Sequence, residues 1–185
     1  MLYEVREVTT RKDLREFIRF PESLYKGCAQ YVPPLHKGQE HELMHAAPLK
    51  YCKRKMWLAA DPSGKTVGRI CAMINTRYNE KYGTKRVRFG WFDLINDVEV
   101  AGVRFDAAES WAKEEGMEEI HGPLYYNTLG RQGMLIEGFD KLAPFSCLYN
   151  HRYYADIVRQ MGFRKECDWI QYMMPADQGV DPRLQ

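Results

Sequence analysis

The run His41-Glu42-Leu43-Met44-His45 carries the most overt chemistry in the chain. On a helix, two histidines four positions apart share a face and can bind zinc, with the glutamate between them as base. A catalytic zinc needs a third protein ligand. Pro48 and Tyr51 stand where one known continuation has glycine and histidine, and no later Glu-x-x-x-Asp helix follows. Pro48 also limits the helix to about ten residues. The run therefore reads first as an amphipathic surface helix with Leu43 inward, and a zinc hydrolase is the alternative. His121 and His151 each stand alone, at a strand end and a helix start. Cys28, Cys52, Cys71, Cys147 and Cys167 include no CxxC pair, which suggests reduced thiols rather than a disulfide framework or a thiolate metal cage. Lys50, Lys53, Arg54 and Lys55 could meet a phosphate, or form a solvated strand edge that discourages strand-to-strand association.

The elements that position these groups follow from patterning. With 185 residues, 45% hydrophobic and 28% charged, the chain fits one globular domain, expected over residues 1–175 with a tail at 176–185. Surface scaling gives about 9,000 Å² folded against about 31,000 Å² unfolded, enough for a core without staples. The net charge of +2 has its signs interleaved, which argues against a nucleic-acid or anionic-membrane surface. No apolar run approaches membrane-spanning length and the first residues lack signal-peptide character, so a soluble cytoplasmic protein is expected. Alternation predicts a strand over Leu2–Val8. Thr9 or Thr10 then caps a helix with stripe Leu14, Phe17 and Ile18, ending before Pro21. Lys55–Ala60 and Val67–Asn75 form a hairpin around Asp61-Pro62-Ser63-Gly64-Lys65. Further strands are expected at Val87–Ile95, Glu119–Gly122 and Arg164–Met174. Helices are expected at Val100–Glu115, stopped by Gly116, and after an Asn150 cap, with stripe Tyr154, Ile157, Val158 and Met161.

Several dispersed segments together resemble one family. These are the helix ending Ala112-Lys113-Glu114-Glu115-Gly116, the passage Asn150 to Met161-Gly162-Phe163, and Phe20-Pro21, Leu24-Tyr25, Tyr31-Val32-Pro33-Pro34, Val67-Gly68-Arg69-Ile70, Phe89-Gly90-Trp91-Phe92-Asp93 and Gly122-Pro123. The pattern resembles the GNAT superfamily of acyl-CoA N-acyltransferases, and within it a bacterial group of uncharacterised function. Nearly the whole chain is covered. The resemblance implies a mixed α/β (α+β) fold, with a central, mixed, mostly antiparallel sheet flanked by helices. Members of the group often have two acyltransferase-like halves, so a second half, or a homodimer, is an expected partner.

The resemblance also implies chemistry: an acyl group passes from acetyl-CoA or another acyl-CoA to a small-molecule amine or peptide, with no metal. Cofactor contacts would come from Trp91, Phe92, Asp93, Asn96, Ala101, Gly102 and Asn150. In the family, backbone N–H groups at a glycine-rich helix start cradle the coenzyme A pyrophosphate. Here the three signature positions are Asn96, Glu99 and Ala101, of which only Ala101 fits, and Asp97 and Glu99 would repel a pyrophosphate. The same acidic residues simply suit a helix start. The family's thiolate-protonating tyrosine falls at Val158, so Tyr153 or Tyr154 could supply a phenol only if the helix is shifted, and Tyr154 otherwise belongs to the apolar stripe. Asp93 is the candidate base. Period two places it on one face with Phe89 and Trp91, where aromatic surroundings would raise its pKa. Tyr125, Tyr126, Asn127 and Arg131 could line an acceptor pocket, or pack on a core or on the second half. An N-acyltransferase domain leads these readings. A catalytically degenerate domain kept for binding or interaction is the second.

Overall fold

The computed structural model describes residues 2–127, 129–143 and 147–172. Five strands form one sheet in the order β1-β2-β3-β4-β5: β1 (Glu4–Glu7), β2 (Cys52–Ala60), β3 (Thr66–Asn75), β4 (Arg86–Leu94) and β5 (Glu119–His121). All neighbours are antiparallel except β4 and β5, which are parallel and joined by helix α4 (Val98–Glu114). Helices α1 (Arg11–Leu24) and α2 (His36–His45) cover one face, where Phe17, Leu43, Leu58, Met73 and Trp91 make a core. Helices α4 and α5 (Tyr153–Gln160) cover the other, over Trp57, Ile70, Phe89 and Phe92. This is the mixed, mostly antiparallel sheet flanked by helices that the resemblance implies. No helix among the described residues is long and apolar enough to cross a membrane.

The hairpin forms because the Asp61 carboxylate accepts from the Ser63 and Lys65 N–H groups, closing the turn between β2 and β3. Helix α1 starts where Thr10 and Asp13 cap each other reciprocally, a capping box with aspartate in place of the usual glutamate.

Four expectations need correction. Helix α1 does not stop before Pro21 but runs through it to Leu24. A proline there leaves the carbonyl four residues earlier without its helical donor, and that carbonyl, on Phe17, accepts instead from Arg69 Nη1 at 2.8 Å. A short helix, α3 (Thr76–Tyr82), stands where no element is expected, held by an Asn75 cap and by Gly83 in the left-handed conformation. Asn150 does not cap α5, whose N-cap is Arg152 without a side-chain bond. Finally, residues 163–172 form no ladder: Glu166 ties this segment to the sheet by a contact with His121 of β5 and an ion pair with Arg86 of β4. Residues 173 and 174 of that expected strand, and the tail at 176–185, lie outside the described residues.

Candidate functional site

The site begins with one extra residue. Between Cys71↔Gly90 and Arg69↔Asp93, two steps along β3 face three along β4, and Trp91 adopts φ +44°, a left-handed conformation unusual for a bulky side chain. This is a β-bulge, and it resets the alternation of the strand. Phe89 and Phe92 therefore pack towards α4 while Trp91 packs towards α1 and α2. The period-two placement of Asp93 beside Phe89 is corrected accordingly. Asp93 points to the α1 side, against the end of that helix.

Past the bulge β4 also loses its outer neighbour. Strand β5 pairs only with Arg86, Val87 and Arg88, and Leu124 N–H takes the Phe89 carbonyl at 2.7 Å. Beyond that the two strands part, and α5 fills the wedge. Tyr154 Oη accepts from Leu94 N–H at 3.1 Å, and Tyr153 Oη donates to the Leu94 carbonyl at 2.6 Å.

Asp93 sits at the floor of this wedge. Arg69 Nε donates to its Oδ2 at 2.7 Å, and Tyr25 Oη donates to its Oδ1 at 2.9 Å. Tyr154 Oη lies 2.8 Å from Tyr25 Oη and 3.4 Å from Asp93 Oδ1. Since Tyr25 spends its proton on Asp93, the donors run in one direction: Leu94 N–H to Tyr154, Tyr154 to Tyr25, Tyr25 to Asp93. All four side chains are buried. Burial, reinforced by the Asp93 charge, pushes the phenols of Tyr25 and Tyr154 well above their ordinary value. For Arg69, burial opposes the charge but the Asp93 carboxylate outweighs it, so its pKa rises. On the far face Arg104, fully buried, donates through Nη1 to the carbonyls of Arg69 and Asp93 at 3.0 and 2.7 Å. Burial lowers its pKa to about 10. A Cβ at Gly68 would fall on that guanidinium, which explains the glycine in Val67-Gly68-Arg69-Ile70.

The start of α4 is likewise provided for from within. Asp97 is its N-cap: Oδ1 accepts from Glu99 N–H at 2.8 Å and Oδ2 from Tyr3 Oη at 2.6 Å. The hydrogen bond to Asp97, with burial, raises the Tyr3 phenol to about 12. Asn96 and Glu99 are exposed, Ala101 is buried in the core and Gly102 is half-buried.

The remaining candidates are scattered. Asn150 clamps the Leu135 backbone, accepting from its N–H at 2.7 Å and donating to its carbonyl at 3.1 Å. Tyr125 stacks on Trp91 with ring centroids 3.7 Å apart, and Tyr125 and Tyr126 are both buried in the α1-side core. Asn127 closes a local turn onto the N–H groups of Leu129 and Gly130, and Arg131 is half-buried. His41 and His45 are exposed with ring centroids 5.8 Å apart, and Glu42 is half-buried. No set of three or more His, Cys, Asp or Glu among the described residues could hold a metal ion. Sequence reasoning missed Tyr25, Arg69, Arg104 and Tyr3. Arg69, a charge inside the apolar run Val67 to Ile74, is a readable sign of a buried partner.

The start of α4 thus presents the Asp97 carboxylate where the resemblance would place the coenzyme A pyrophosphate, and the wedge beside β4 contains the Tyr154 phenol.

No family model matches the chain. It is 35% identical over 171 residues to Protein YghO of Escherichia coli (strain K12), covering 92% of this chain and 44% of that one. The chain thus spans less than half of that relative. A predicted acetyltransferase from Clostridium acetobutylicum, solved with acetyl-CoA, superposes with TM-score 0.53 at 12% identity, covering 92% of this chain and 96% of the other. A Pyrococcus furiosus protein assigned as an acetyl transferase gives TM-score 0.52 at 12% identity, over 93% and 99%.

Proposed function

This chain has the fold of the GNAT acyltransferases, and from that premise we propose that it is a catalytically silent domain of the fold, serving as the interaction half of a longer acyltransferase-like protein. The observation that carries the reading is the bond from Leu94 N–H to Tyr154: the backbone donor beside the wedge is already satisfied from within the chain. The carboxylate at the α4 start supports it. A pyrophosphate about 5 Å from Asp97 would meet repulsion of about 1 to 3 kcal/mol, between bulk and surface dielectric values. Among the exposed large apolar side chains are Trp169, Ile170 and Tyr172, close together in sequence, and we assign them to contact with a second acyltransferase-like half.

A second reading keeps the enzyme: acyl transfer from acyl-CoA to a small-molecule amine or peptide, with Asp93 as base and Tyr154 as acid. The 3.4 Å approach of Tyr154 Oη to Asp93 favours it. Isothermal calorimetry with acetyl-CoA separates the two. The silent domain gives no heat of binding at millimolar ligand. Saturable binding, with release of free coenzyme A thiol that depends on an added amine, overturns the silent reading in favour of the enzyme.

A further inference from the structure

We propose that the solvent face of α1 is a docking surface for the phosphate backbone of a nucleic-acid duplex, engaged through Arg11, Lys12, Arg15 and Arg19 without reading sequence. The inference is independent of the acyltransferase question, since these side chains take no part in the wedge.

The charges interleave along the sequence, but folding sorts them. At 3.6 residues per turn, Arg11, Lys12, Arg15 and Arg19 fall within an arc of about 100° on α1, and all four are exposed. The acidic residues of the same helix are engaged elsewhere. Asp13 closes the cap with Thr10 and meets Arg6 of β1. Glu16 accepts from Arg6 Nη2 at 2.7 Å and from the Thr66 hydroxyl of β3, and Glu22 meets His36 of α2. None of the four cations has an ion-pair partner among the described residues, since the bond from Arg15 Nε to the Arg11 carbonyl at 3.3 Å leaves its charge uncompensated. On the opposite helical layer the exposed, unpaired charges of α4 are acidic: Glu99, Asp106 and Glu114. A chain of nearly balanced charge therefore presents one positive side to an anionic partner. From Arg11 to Arg19 the helix rises about 12 Å, and a duplex offers a phosphate every ~3.4 Å of axis on each strand, so about three phosphates of one strand lie along the row. Arginine, which supplies most of these cations, holds a phosphate through its planar fork. The apolar residues of α1, Leu14, Phe17, Ile18 and Phe20, are buried. The face thus offers no apolar wedge to a bilayer and no ring on which unpaired bases would stack. A straight row of charge with nothing else beside it complements a duplex backbone.

Fluorescence anisotropy of a labelled DNA duplex of about 20 base pairs, titrated with the full chain at about 50 and about 200 mM salt, tests the surface. Four phosphate contacts should make binding about 150-fold weaker at the higher salt, from a slope of about −0.9 per contact. Arg15→Gln combined with Arg19→Gln should cut that ratio to about 12-fold, the value for two remaining contacts. Lys113→Gln combined with Arg159→Gln, on the opposite layer, should leave it unchanged. If the first double variant does not fold, Arg11→Gln combined with Lys12→Gln decides in its place, with the same expected ratio. A duplex of unrelated sequence should bind equally well. No binding by about 100 μM chain at the lower salt overturns the proposal, as does an unchanged salt ratio in the folded α1 variant or a preference of more than about ten-fold between the two duplexes. Stronger binding to vesicles of phosphatidylserine and phosphatidylcholine than to the duplex, at equal phosphate concentration, also overturns it and makes the partner a membrane surface.

Discussion

Asp93 illustrates how one residue's surroundings decide its role. A carboxylate among aromatic rings is poised to take a proton, but this one faces the Arg69 guanidinium and the Tyr25 hydroxyl, at 2.7 and 2.9 Å, and both are permanent parts of the fold. Its oxygens are already committed as acceptors within the core. The energetic consequence is testable, because removing one partner of a buried pair leaves the other charge uncompensated. Arg69→Met should destabilise the domain by about 3 to 5 kcal/mol. Arg69→Met combined with Asp93→Leu should recover much of that loss, since no charge is then left unpaired. Urea unfolding of the wild type, both single variants and the double variant measures the coupling. Additive losses would mean that the pair contributes nothing as a pair.

Among the elements, α1 shows a proline recruited as a connector. Pro21 frees the Phe17 carbonyl, Arg69 takes it at 2.8 Å, and the same guanidinium holds Asp93. A proline in a helix interior is ordinarily about 3 kcal/mol worse than alanine. Pro21→Ala should nevertheless gain less than about 1 kcal/mol, because the restored N–H competes with Arg69 for one carbonyl. A full gain in urea unfolding would show that the Arg69 contact adds nothing. Elements with a strong periodic signal were legible in the sequence: the stripe of α4, the hairpin turn at Asp61, the Thr10 cap. The β4 bulge was not, because one extra residue in a strand buried on both faces leaves no mark on the hydrophobic pattern. Helix α3 escaped notice because its residues, Thr-Arg-Tyr-Asn-Glu-Lys-Tyr, present no apolar stripe and bury no side chain. Residues 164–172 hold Trp169, Ile170 and Tyr172 at positions read as a strand, but β5 offers only three residues as a template. Asp93 and Tyr154 were both given roles through the resemblance, whereas Tyr25, which joins them, stood in its Leu24-Tyr25 pair with no role attached.

Across the whole molecule, the two helical layers meet at the wedge. Tyr25 comes from the end of α1 and Tyr154 from α5 on the opposite face, and their hydroxyls touch at 2.8 Å past the edge where β5 stops. Ionising either phenol would place a second negative charge beside Asp93 inside the core. This makes stability depend on pH in a definite direction. Unfolded tyrosines ionise near pH 10, whereas burial and then the Asp93 charge hold Tyr25 and Tyr154 protonated well beyond that in the folded chain. Their contribution is therefore fully present below about pH 10 and is lost as the pH rises further, because the unfolded state then binds fewer protons. Two such groups give a slope of about 1.4 kcal/mol per pH unit at that point, approaching about 2.7 roughly one unit above it, with Tyr31 and Tyr153, each raised chiefly by burial to about 12, acting in the same direction. Urea unfolding measured at intervals from pH 8 to pH 11 should show a plateau and then this fall. In Tyr154→Phe the fall should be shallower by about 1.4 kcal/mol per unit, the share of one proton. Equal slopes in the two proteins would mean that Tyr154 ionises freely in the folded state, which the closed wedge forbids.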